Sequence, residues 1–369
     1  MHRLAGSLHH PPCPITALWA WSQVLSVASA ALAQRTVPFE LGEAREEQLR
    51  ASMRDHGYFA LQPEELPWSV DLGALARGIE LLHAAGWPPA FIMAYDEAWL
   101  VAAQMAPLLE RLTGNPLSFD WMAFRVPPGQ PGFPPHRDKP LGLSGESGLR
   151  ADGTARYNTC WIALVDVPHT SSCLMCVPRG HDSGYLASSE FHNPVASTDA
   201  LCHVQPLPLD RGGAAVFSHR LFHWSRGGNT HTADGALAPA RFALAITSID
   251  ESYDVRYLPQ AALPLPPLPI RVALAAGQVF GHPCSYHSAL TRSLLSLHPP
   301  IHSIHSTTTP PSYFTPTMLL PLAQVFAYSN HERAEIDAEL LWATFLAMSD
   351  HFDDSWARRV FEAKHRTEV

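Results

Sequence analysis

The stretch Pro134-Pro135-His136-Arg137-Asp138-Lys139-Pro140 constrains this chain more than any other. On an extended strand, residues two apart point to the same face, so the His136 imidazole and the Asp138 carboxylate converge. A nitrogen and an oxygen donor placed this way can form two corners of a metal site. By itself the pair says little, because a chain with 21 histidines contains such spacings by chance. Its weight depends on a third ligand downstream, on a strand, followed by a cation able to hold a dicarboxylate.

The run from Gly212 to Ser225 reads as that strand and offers two histidines, His219 and His223. His223 is the better third ligand, since Ser225 lies on the same face two residues on and Asn229 follows in a glycine turn. His219 would then line the pocket or brace a ligand from behind. Two imidazoles and one carboxylate leave coordination positions open, as in the facial triad of non-heme Fe(II) oxygenases. Arg241 opens the next strand, where a guanidinium can fork onto a carboxylate in a way a lysine cannot. Standing alone, it would read as a strand-end arginine in solvent.

The surrounding chain reads as a globular enzyme. Of its 369 residues 46% are apolar and only 16% charged, which fits a globular enzyme better than a disordered chain. A net charge of -9 without any Lys/Arg-rich run argues against a nucleic-acid partner. No run approaches the roughly 20 apolar residues of a membrane span, so no integral membrane segment is expected in the mature chain. Helices are expected over 44–56, ending at Gly57, over 71–85, and over 96–112, ending at Gly114-Asn115, with a short strand Tyr58 to Leu61 after the first. From Phe119 the texture changes to short strands between Gly/Pro loops. They are Phe119–Val126, Asn158–Val167, Cys173–Val177, His203–Leu207, Ala214–His219 and Arg241–Ile249. This pattern predicts a mainly β fold, a double-sheet barrel with flanking helices. The loop 141–156 is long enough to act as a lid. Cys173-x-x-Cys176 has the spacing of half a zinc site, but no second pair accompanies it and the two residues face opposite ways on a strand. These cysteines read as small buried hydrophobes.

The ends divide the chain into four segments. Residues 1–35 read as a leader: Arg3 precedes an apolar stretch that ends at Ala31-Leu32-Ala33, the outline of a signal or transit peptide, although several serines dilute it. Localisation therefore stays open between a soluble cytoplasmic or organellar protein and secretory entry by cleavage of 1–33. Residues 36–278 hold the strands and helices above. Residues 279–324 are a His/Ser/Thr/Pro-rich insert, and 325–369 a helical C-terminal segment. Gly277-Gln278-Val279-Phe280 is echoed by Ala323-Gln324-Val325-Phe326, and excising 279–324 joins two helix-like pieces into one. Such an insert has the outline of a retained intron, with a genuine linker as the plain alternative.

Taken in order, Phe124-Arg125-Val126-Pro127, Pro135-His136-Arg137-Asp138, Trp161 to Asp166, Cys173 to His181, His223-Trp224-Ser225 and Arg241 resemble the phytanoyl-CoA dioxygenase-like family of Fe(II)/2-oxoglutarate oxygenases. The resemblance covers about residues 50 to 260. It implies a double-stranded β-helix of jelly-roll or cupin type that binds iron through His136, Asp138 and His223. It also implies 2-oxoglutarate held by Arg241 and Ser225, with Arg125 and Trp161 lining the co-substrate pocket. The expected activity is hydroxylation of a small organic or lipid-like substrate by O₂, with succinate and CO₂ released and ascorbate as a supporting reductant. Two departures stand out: Pro178-Arg179-Gly180-His181 replaces the usual Pro-Gly-Ser-His turn, and the span from His223 to Arg241 is long, which makes Arg226 an alternative clamp. Asp138 stands where related halogenases carry a small residue, so oxygenation is expected. The rival readings are a degenerate β-barrel used for binding, and a cupin-type metal-dependent hydrolase or isomerase without 2-oxoglutarate.

Overall fold

A computed structural model describes residues 24–25, 37–84, 89–139, 141–143, 146–186, 193–254, 271 and 275. The leader apart from residues 24–25, the 279–324 insert and the C-terminal segment lie outside the described residues. Three longer helices precede the strands: α1 (Glu43–His56), α2 (Leu72–Ala84) and α3 (Asp96–Thr113). Each boundary has a local cause. Gly57 and Gly114 stop α1 and α3 in the left-handed conformation, at φ 82 and 70, where a side chain would be strained. Asp71 accepts the Gly73 amide at 2.8 Å at the start of α2, and Leu72, Leu75, Ile79 and Leu82 form its buried stripe.

β1 (Tyr58–Leu61), β2 (Leu117–Val126), β5 (Tyr157–Ala163), β8 (Ala214–Ser218) and β10 (Arg241–Ile249) form a five-stranded antiparallel sheet in the order β1-β8-β5-β10-β2. A second sheet has three strands in the order β7-β6-β9, from β6 (Leu174–Val177), β7 (Gln205–Leu207) and β9 (Phe222–Ser225). A small helix, α4 (Thr198–Cys202), leads into β7. The fold is thus mainly β with flanking helices, as the strand texture predicts.

Side-chain alternation separates two cores. Cys160, Ile162, Ala214, Val216, Leu244 and Ile246 face the helices. Their neighbours Trp161, Ala163, Ala215, Phe217, Ala243 and Ala245 face the small sheet and pack on Cys173, Leu174, Cys176 and Leu207. Alanines at four of these inward positions leave space between the sheets. Cys160, Cys173 and Cys176 are free and buried, and burial raises the thiol of Cys176 to about 12, as expected of hydrophobic packing residues.

Two expectations need correction. The run Gly212 to Ser225 is not one strand: it breaks at Ser218–Leu221, where the Leu221 amide donates to the Ser218 carbonyl at 2.9 Å, and β8 and β9 belong to different sheets. Arg220 is buried at the crossing, its guanidinium donating to the Tyr185, Lys139 and Gly184 carbonyls at 3.1, 3.2 and 2.9 Å. Nor is 141–156 an unbroken loop. It contains a hairpin, β3 (Gly142–Leu143) with β4 (Glu146–Ser147), and Arg150 pins it to the Thr113 carbonyl at 3.2 Å and to Asp250 at 2.9 Å.

Candidate active site

His136 and His223 come from separate segments but form a reciprocal backbone pair, each amide donating to the other's carbonyl at 3.0 Å. That pairing sets their rings side by side, with centroids 4.3 Å apart. Asp138 is brought to the same point by its own amide, which donates to the His219 carbonyl at 3.0 Å. The Nε2 atoms of His136 and His223 lie 3.2 and 3.6 Å from Asp138 Oδ1. His136, Asp138 and His223 form the group that could hold a metal ion among the described residues, their ligand atoms all within 4.8 Å of one another.

The donor atoms suit that role. His136 Nδ1 lies 2.7 Å from the Pro134 carbonyl and His223 Nδ1 lies 3.0 Å from the Leu221 carbonyl. A carbonyl can only accept, so each Nδ1 carries the proton and each Nε2 keeps its lone pair. Burial pushes His223 down to about 4, which keeps it neutral and able to ligate. Burial alone would raise the Asp138 carboxyl, but His223, His136 and a 2.6 Å hydrogen bond from the Thr159 hydroxyl to Oδ2 outweigh it and hold it below the usual carboxylate range. Oδ1 is left pointing at the histidines. Thr159 was not singled out from the sequence. Its signal was there, since it shares a face of β5 with Trp161 two residues on.

His219 is fully buried outside this group, with Nδ1 3.1 Å from the Tyr157 carbonyl. The break between β8 and β9 separates it from His223, and its backbone positions Asp138.

A cavity of about 230 Å³ opens beside the triad. Trp161, Ser225 and Arg241 line it. Arg241 is 4% exposed, and its guanidinium donates to the Ser172 carbonyl and the Ser225 hydroxyl, both at 2.7 Å. It lies 5.3 Å from the Trp161 ring and 5.9 Å from the Phe124 ring. No carboxylate pairs with it among the described residues, and its Nε has no partner there. Burial pushes it down to about 10, so it stays charged at neutral pH. Gly132 closes over this end: a Cβ there would stand 2.7 Å from Ser225 Oγ and 2.8 Å from Arg241 Nη2.

Arg125 is not brought into the cavity, which corrects its expected place there. Phe124 on β2 faces inward, so Arg125 faces outward and forks onto Glu80 of α2 at 2.7 and 3.0 Å. The alternative clamp Arg226 is exposed and also stands outside the cavity lining.

Residues 92–233 match the family model of phytanoyl-CoA dioxygenase. The matched stretch is phytanoyl-CoA dioxygenase-like. It contains His136, Asp138, His223 and Ser225, while Arg241 follows beyond it. Among solved structures, this chain is similar to the non-heme alpha ketoglutarate dependent epimerase SnoN from nogalamycin biosynthesis, with 20% identity over 57% of this chain and 82% of that one, at a TM-score of 0.43. It is also similar to AviO1 from Streptomyces viridochromogenes Tue57, with 18% identity over 60% and 100% and a TM-score of 0.42. For EctD from S. alaskensis the values are 15% identity over 60% and 83%, with a TM-score of 0.42. No curated protein matches by sequence.

Proposed function

We propose that this protein is an Fe(II)- and 2-oxoglutarate-dependent oxygenase with a double-stranded β-helix core, acting as a hydroxylase on a small organic substrate. One observation carries the reading: a buried guanidinium without a carboxylate partner shares a cavity with a His-Asp-His triad. A buried unpaired charge is costly, and a dicarboxylate reaching from the triad to Arg241 would pair it.

Iron, when bound with 2-oxoglutarate and O₂, supplies an oxidant strong enough to hydroxylate a C–H bond, with succinate and CO₂ released. The chain supplies the rest. His136 and His223 present lone pairs fixed by their carbonyl contacts, and Asp138 presents one oxygen while Thr159 holds the other. Arg241 and Ser225 offer donors to the distal carboxylate. Trp161 and Phe124 flank the guanidinium and keep water from that end.

The test is metal-dependent succinate formation by the purified protein, with iron and 2-oxoglutarate omitted in turn. Activity should need both, and His136→Ala, Asp138→Ala and His223→Ala should each abolish it while the circular dichroism spectrum is kept. The milder loss is expected for His219→Ala. Activity within a few-fold of wild type in His223→Ala, or none in wild type across a broad substrate panel together with no 2-oxoglutarate binding, would overturn the reading.

A further inference from the structure

The cavity has two ends along β10. Arg241 lines one and Thr247, six residues on, lines the other. The Arg241 guanidinium lies beside the Phe124 and Trp161 rings, at the end away from Thr247. Thr247 pairs across the sheet with Thr159, which holds Asp138, so the metal ligands stand beside the Thr247 half of the cavity. Co-substrate reaching from the triad to Arg241 leaves the opposite end open. Asp120, Tyr157 and Thr247 wall that end.

We propose that this end is a substrate subsite that accepts a hydrogen-bond-donating head group, a hydroxyl or an amine, beside the carbon to be oxidised. The proposal rests on the oxygenase reading above. Thr247 is 3% exposed and its hydroxyl has no partner among the described residues. The residues that share its face of β10, Ala243 and Ala245, are small and apolar, so a hydroxyl at this position is not required by packing. Asp120, also 3% exposed, puts a carboxylate into the same wall, held by the Tyr157 hydroxyl at 2.9 Å and facing Lys139 at 3.6 Å. An alkyl head group would leave the Thr247 hydroxyl without a hydrogen bond, whereas a donor group gives it a partner and adds a contact to the Asp120 carboxylate. Size narrows the class further. The whole cavity, about 230 Å³, lies below the roughly 300–1,000 Å³ of pockets for drug-sized ligands, and it must also hold the co-substrate. Only a small head group fits inside.

The test pairs short diols and amino alcohols with alkyl compounds of the same skeleton, titrated anaerobically into the Fe(II)- and 2-oxoglutarate-loaded protein. Donor-bearing members should bind more tightly than their alkyl counterparts. Thr247→Val and Asp120→Asn should weaken them by about 10-fold, the loss of one hydrogen bond, with 2-oxoglutarate affinity unchanged. Asp120→Asn should cost the amines more than the diols if a charge is read, and both equally if only the acceptor matters. Melting of the free protein gives an independent sign: Thr247→Val should leave Tm unchanged or raised, because it removes an unsatisfied hydroxyl. A lowered Tm with unchanged ligand binding would make Thr247 structural and overturn the proposal. So would a panel in which donors bind no better than alkyl counterparts while wild type still binds 2-oxoglutarate. If wild type binds no 2-oxoglutarate, the oxygenase reading falls and the subsite falls with it.

Discussion

Arg241 concentrates the chemistry of the site in one side chain. Its charge is buried between two aromatic rings, whose faces offset part of the lost hydration. Its hydrogen bonds to Ser172 and Ser225 fix the plane of the fork before any ligand arrives. Arg241→Lys keeps the charge and loses the fork. Removing one charge-assisted hydrogen bond, worth roughly 1.5–3 kcal/mol, should weaken 2-oxoglutarate by about 10- to 150-fold and leave metal affinity nearly unchanged. Arg226→Lys, at an exposed position, should leave both alone. Titration of 2-oxoglutarate into the three proteins checks this, and a loss at 226 with none at 241 would move the clamp to the earlier arginine.

At the scale of the element, strand alternation decides which residues reach the cavity. On β2, Asp120, Met122 and Phe124 face it, and Arg125 faces α2. Arg125→Gln should therefore cost stability and not co-substrate affinity. The pair with Glu80 is half-exposed on the glutamate side, so about 0.2–1 kcal/mol is expected in a denaturant melt, with the KM for 2-oxoglutarate unchanged. The same alternation shows what the sequence made legible. His136 and Asp138 do converge, though through an isolated bridge at His136 and a bend at Asp138 rather than along a strand. β10 runs from Arg241 to Ile249 as expected, and the glycines at 57 and 114 stop the helices where predicted. Positions set by local dihedrals and period were readable because they depend on near neighbours. The break at Ser218–Leu221 was not, because its cause is Arg220, whose carbonyl partners lie far away in the chain. Asp120 and Thr247 were missed for the same reason. Nothing nearby marks a polar residue on a strand as cavity-facing until the second sheet is in place.

For the whole molecule, one sheet is a partition. The helices cover its outer face and the triad and cavity lie on its inner face, so most of the hydrophobic packing is insulated from the chemistry. Both sheets, the cavity and the three longer helices are built from residues before 255. We propose that residues 279–324, outside the described residues, are a non-native insert. Deleting Val279 to Gln324 should leave Tm and succinate formation unchanged and improve the yield of soluble protein. At roughly 2–4 °C per kcal/mol for a chain of this size class, a fall of ten degrees in a thermal melt would show that the segment belongs to the fold.

The two histidines that meet across a reciprocal backbone pair come from distant points of the chain. An ion bridging them would be a reversible cross-link, closing a loop whose freedom in the unfolded chain is worth on the order of 4–5 kcal/mol. Metal occupancy and persistence of the fold then become one equilibrium, shifted by the same free concentration of ion. Under metal starvation such a protein would lose lifetime along with turnover, and its abundance would itself report the iron supply.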